Sequence, residues 1–123
     1  MDRRSVVIAL LVLSTIVVYR SASNLEFLRW DDDGYVSQNR QVRAGLTRQG
    51  VSWAFTTGEQ ANWHPVTWLS HMLDCELFGA HRSGLHHVVN LLLHVVNTVL
   101  IFVLFERMTA NFWPSAFVAG QAA

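Results

Sequence analysis

A chain of 123 residues with nine arginines, no lysine and nine acidic residues has zero formal net charge, which leaves no basic surface of the kind nucleic acid requires. Half of the chain is apolar (51%) and only 15% is charged, and the apolar residues fall in blocks toward the two ends, unlike the even spread of one small soluble domain. The single cysteine, Cys75, excludes an internal disulfide and reads as a free buried thiol; as a nucleophile it would need a base, and His71 lies one helical turn before it.

The first element follows Arg3 and Arg4. Residues 6–19, VVIALLVLSTIVVY, carry no charge. Extended to Ala22 the segment makes a helix of about 25 Å, short for a hydrocarbon core of about 30 Å but workable if Arg20 snorkels. A cleaved leader has the same start, with small residues at Ser21–Ser23, and stays open as a rival.

The stretch from residue 23 to 84 is rich in aromatic residues, among them Trp30, Tyr35, Trp53, Trp63 and Trp68, and so reads as a folded loop. Thr47 is placed to cap a helix running to Phe55. Pro65 stands at a first helical position and Gly79 at a helix end. Between them Trp68, Leu69, Met72, Leu73 and Leu77 form one apolar stripe, as in a helix lying flat at a lipid headgroup surface.

Residues 85–105, LHHVVNLLLHVVNTVLIFVLF, form a second segment of about 31 Å without formal charge. His86, Asn90, His94 and Asn97 share a face, which expects helical neighbours or a wet cavity. His86 and His94 are two turns apart, a poor start for a metal site. Trp113 and Pro114 read as an interface anchor and the start of a third apolar helix, incomplete at residue 123. The fold class expected is all-α: a polytopic set of membrane helices with a partly helical, amphipathic extracytoplasmic loop, a piece of a larger bundle. Its divisions are 1–22 (first span with a cytoplasmic N-terminus), 23–84 (outer loop), 85–106 (second span) and 107–123 (cytoplasmic turn and start of a third span).

The strongest negative cluster, Asp31-Asp32-Asp33, follows the first span directly. Carboxylates there can take a proton from an attacking hydroxyl, hold a hard cation or bond sugar hydroxyls; a solvated turn bending at Gly34 is the plain alternative. The stretches WDDDGYVSQN, GLTRQGVSWAFTT, NWHPVTWLSHMLDCELFG, HHVVNLLLHVVNTVLIFVLFERMT and FWPSAFVA cover most of residues 30–119. With them the chain resembles the N-terminal region of GT-C-type integral-membrane glycosyltransferases, more closely bacterial proteins similar to the transmembrane and tetratricopeptide-repeat O-mannosyltransferases.

The resemblance implies transfer of a sugar, typically mannose, from a polyprenyl-phosphate donor to Ser or Thr of an acceptor protein, in the bacterial inner membrane. It assigns Asp31 and Asp32 as catalytic base or acceptor-binding groups, with Asp33 and His64 as substrate-binding neighbours. No resident cofactor is implied beyond the lipid-linked donor, with a divalent metal as an optional helper. Partners would be membrane lipid, the acceptor protein and further transmembrane helices. The 123 residues alone are expected to show no turnover. A non-enzymatic scaffold or transporter piece is the competing expectation.

Overall fold

The computed structural model describes residues 2–28 and 30–123, which are helical and turn-forming with no strand among them. In chain order the helices are α1 (Arg3–Tyr19), α2 (Arg40–Arg43), α3 (Arg48–Thr56), α4 (Pro65–Phe78), α5 (Ser83–Thr109) and α6 (Phe112–Gln121). The chain separates into two compact units. One contains the residues up to Ala22 with Val88–Ala123, and the other is Ser23–His87.

The first unit is built on two helices long and apolar enough to cross a membrane: Arg3–Asn24, counting the tight turn that extends α1, and α5. The best apolar window of each is only 11% buried, so most of this greasy surface faces outward. Arg4 Nε stands 3.0 Å from Glu106 Oε2, close enough for charge attraction although not aligned as a hydrogen bond, and the Tyr19 ring meets His94 edge-on at 5.2 Å. Together these contacts set α1 and α5 antiparallel. Leu11, Phe102 and Ala119 form the small core where α1, α5 and α6 meet.

Buried beside this core are Thr15, Thr98 and Ser115. Each hydroxyl donates to a carbonyl of its own helix, at Leu11 (2.8 Å), His94 (3.0 Å) and Asn111 (2.6 Å). Helix α6 begins at Phe112, ahead of the expected Trp113–Pro114 start. Pro114 therefore lies inside the first turn, where its missing N–H removes no hydrogen bond.

The second unit closes over Val36, Val42, Ala54, Trp68, Met72 and Cys75, with Phe27, Tyr35, Trp53, Leu69 and Ala80 around them. The caps fall where the residue types place them. The Thr47 hydroxyl accepts from the Gly50 N–H at 2.9 Å and opens α3. Pro65 is the first residue of α4, and Gly79, at φ +80°, ends it by donating to the Cys75 carbonyl.

The α4 stripe is corrected. Trp68 and Met72 are fully buried, Leu69 is half-buried, and Leu73 and Leu77 are exposed. The inner face consists of Pro65, Trp68, Met72, Asp74 and Cys75. Trp68 is thus a core residue and not a headgroup anchor, because α3 and the Asp33–Ser37 turn supply enough apolar surface to enclose it.

Candidate functional site

The acidic triplet enters a helical turn that widens at Asp33–Ser37 and closes when the Gln38 N–H donates to the Asp33 carbonyl at 2.9 Å. Successive helical residues diverge by about 100°, so the three carboxylates radiate. Asp31 is exposed to solvent. Asp32 accepts the Leu28 N–H at 2.8 Å, fixing the chain that leads in. Asp33 accepts the Ser37 hydroxyl at 2.5 Å and lines a cleft of about 360 Å³. Asp31 and Asp32 do not line that cleft, so the expected site residues are divided.

Polar residues line the cleft, Asp33, Gln38, Asn39, Arg40, Glu59 and Gln60 among them, although much of the surface they present is aliphatic. Asn39 organises it. Its Oδ1 caps α2 by accepting from Gln41 and Val42, while Nδ2 donates to the Gly34 carbonyl and to Glu59 Oε2, both at 3.2 Å. The Gln60 amide packs where a side chain at Gly34 would begin. Gln60 and Ala61 both hold left-handed backbone (φ 57° and 59°), which turns the Glu59–Ala61 segment to form one wall. The volume suits a small ligand, and the mix of amides and carboxylates suits one bearing many hydroxyls.

His64 sits elsewhere. It precedes α4 and stacks on Tyr35 (5.5 Å between centroids) and Trp68 (4.9 Å), while Tyr35 in turn stacks on Trp68 at 5.0 Å. His64 is thus packed among aromatic rings at the entry to α4 and is not part of the cleft wall.

A second cluster lies at the C-terminal half of α4. His71, Asp74 and His86 offer one ligand atom each, all within 4.8 Å of one another. Asp74 and His86 are buried, with His86 Nδ1 at 3.8 Å from Asp74 Oδ2 and His86 Nε2 at 3.2 Å from the Gly79 carbonyl. Burial pushes the Asp74 carboxyl above the usual carboxylate range, against the pull of His86. Burial also holds His71 below the usual imidazole value; His86 and His64 add to this and Asp32 opposes it.

Helical spacing alone does not bring these three residues together. Only the reversal at Gly79 brings His86 back to α4. The pair weighed in the sequence, His86 with His94, falls apart: His94 lies in the other unit, beside Tyr19 and 3.4 Å from the Ala123 carbonyl. Cys75 is buried, and burial together with the Asp74 charge raises its thiol pKa, which disfavours the thiolate.

No family model, curated protein or solved structure matches the chain.

Proposed function

We propose that the chain is the N-terminal membrane-bound part of a GT-C-type glycosyltransferase that moves a sugar, mannose by resemblance, from polyprenyl phosphate to Ser or Thr hydroxyls of an acceptor protein. One observation carries the reading: the segment between two helices long and apolar enough to cross a bilayer is a folded unit that holds three adjacent carboxylates and a polar cleft bordered by one of them. A donor with a polyprenyl tail needs its sugar-binding groups held next to a membrane segment. The outward-facing apolar sides of α1 and α5 leave room for lipid and for further helices.

In this reading the helices lie in the bacterial inner membrane with the N-terminus cytoplasmic and residues 23–84 outside. Asp33, Asn39 and Glu59 bond the hydroxyls of the donor sugar. Asp31 or Asp32 takes the proton of the acceptor hydroxyl as its oxygen bonds to the anomeric carbon. The bond from that carbon to phosphate oxygen breaks, and polyprenyl phosphate leaves with the electron pair. A hydroxyl is a weak nucleophile at neutral pH, and a positioned base contributes about 100- to 10,000-fold.

The test is donor binding by the chain in lipid nanodiscs, using a short-chain polyprenyl-phosphate mannose. Saturable binding weakened about tenfold or more by Asp33→Asn is expected, since a hydrogen bond to a charged group contributes about 1.5–3 kcal/mol. Absence of saturable binding discards the reading. Binding of ions or small solutes that survives replacement of all three aspartates favours a scaffold or transporter role in its place.

A further inference from the structure

We propose that His71, Asp74 and His86 bind one divalent transition-metal ion, with Zn2+ as the best-matched species. This site is separate from the polar cleft and does not depend on the glycosyltransferase reading.

The argument begins with the tautomer of His86. The Gly79 carbonyl can only accept, so the ring nitrogen 3.2 Å from it, Nε2, carries the proton. In the neutral ring the lone pair is then on Nδ1. That atom is buried, has no hydrogen-bond partner, and faces Asp74 Oδ2 at 3.8 Å. A carbonyl that fixes one nitrogen of a histidine and frees the other is the usual support for a metal-ligating imidazole. His71 Nδ1 is likewise buried without a partner. The Nδ1 lone pair of His86, the Asp74 carboxyl and one ring nitrogen of His71 therefore converge within 4.8 Å.

Distance decides between a proton and a metal. A charged hydrogen bond between imidazolium and carboxylate draws nitrogen and oxygen to about 2.7–2.9 Å. Metal–nitrogen and metal–oxygen bonds of about 2.0–2.2 Å separate two ligand atoms of a tetrahedron by about 3.4 Å. The 3.8 Å gap and the spread of up to 4.8 Å call for small inward movements of the side chains around a cation.

The chemistry of the donors selects the ion. Two imidazoles and one carboxylate suit Zn2+ and its first-row neighbours, whereas Ca2+ and Mg2+ prefer all-oxygen shells. Three protein ligands leave the fourth tetrahedral position for water or an incoming oxygen ligand. Metal bound here joins α4 to the first turn of α5 across the Gly79 reversal.

The experiment uses the whole chain in detergent, made without a polyhistidine tag and stripped with a chelator. Zn2+ is titrated by calorimetry, and Co2+ by its visible absorption. The expected result is one equivalent bound, with the strong Co2+ bands of four-coordinate geometry. His71→Gln, at the least buried of the three positions, is expected to weaken Zn2+ binding by about 100-fold or more, the upper end of what losing even a supporting residue costs. Asp74→Asn is expected to do the same, and exposed His81→Gln to change nothing. Circular dichroism establishes that each variant keeps its helices; should Asp74→Asn lose them, His71→Gln decides. Failure of the stripped chain to bind one equivalent of Zn2+, or unchanged affinity in a folded His71→Gln variant, overturns the proposal.

Discussion

Glu76 Oε2 accepts the Leu46 N–H at 2.9 Å, tying the last turn of α4 to a backbone position thirty residues earlier. The same side chain packs at the surface of Gly45, whose φ of +77° turns the chain from α2 toward α3. Replacing Glu76 with Ala removes the acceptor and leaves an N–H for water to satisfy. The expected loss is about 1 kcal/mol, at the low end for a charged acceptor because the contact is exposed. Thermal unfolding of the variant in detergent checks it, and Glu76→Gln is expected to recover much of the difference.

Gly84 is required by a close approach. A Cβ at that position collides with the Ser23 carbonyl, a backbone atom that cannot rotate away. Gly84→Ala is therefore expected to destabilise the Ser23–His87 unit by about 1–3 kcal/mol despite its better helix propensity, as overpacking does. Gly58→Ala, where nothing lies within 4 Å, is the matched control; an equal effect of the two changes refutes the steric account.

The pH dependence follows from His71. Its folded pKa lies below the ordinary value near 6.5, so between the two values the unfolded chain binds more protons. Stability then rises with pH across that interval: the contribution is complete above about 6.5 and is lost as pH falls through the folded value. Asp74 has the opposite sign, with stability lost as pH rises from 3.8 toward its raised folded value. With chelator present, lowering the pH from 7.5 to 5.5 is expected to cost the parent chain more melting temperature than it costs His71→Gln.

Catalysis is tested at Asp31 and Asp32. The double change to Asn keeps an acceptor oxygen for the Leu28 N–H and so leaves the entry to the turn intact. Under the proposed function, sugar transfer by the whole protein is expected to drop by about 100- to 10,000-fold with no loss of protein in the membrane. Retained transfer removes these carboxylates from the reaction.

Cys75 is expected to resist alkylation. Burial and the Asp74 charge keep the thiol protonated, and the reactive species is the thiolate. Iodoacetamide labelling at pH 7.5 is expected to be slow in the folded chain and to become fast in denaturant; rapid labelling of the folded chain contradicts the packing of α4.

Local chemistry was legible in the sequence. Thr47, Pro65 and Gly79 mark helix ends because a hydroxyl cap, a missing N–H and a missing Cβ each act within one turn. The apolar runs were equally plain. The side of α4 that turns inward was not, because Leu73 and Trp68 are both apolar and only the positions of α3 and Tyr35 decide between them. Nor was the division of the triplet, which depends on the widened turn at Asp33–Ser37, or the meeting of His71 with His86, which depends on tertiary return past Gly79.

The three hydroxyls buried where α1, α5 and α6 converge are each already engaged inside their own helix. Among the described residues, the polar contacts between these helices are the Arg4–Glu106 ion pair and the long Thr109–Ser115 hydroxyl contact, and packing supplies the rest of the seam. Thr15→Val, Thr98→Val and Ser115→Ala should leave it closed, whereas a bulkier residue at Ala119 should wedge it apart.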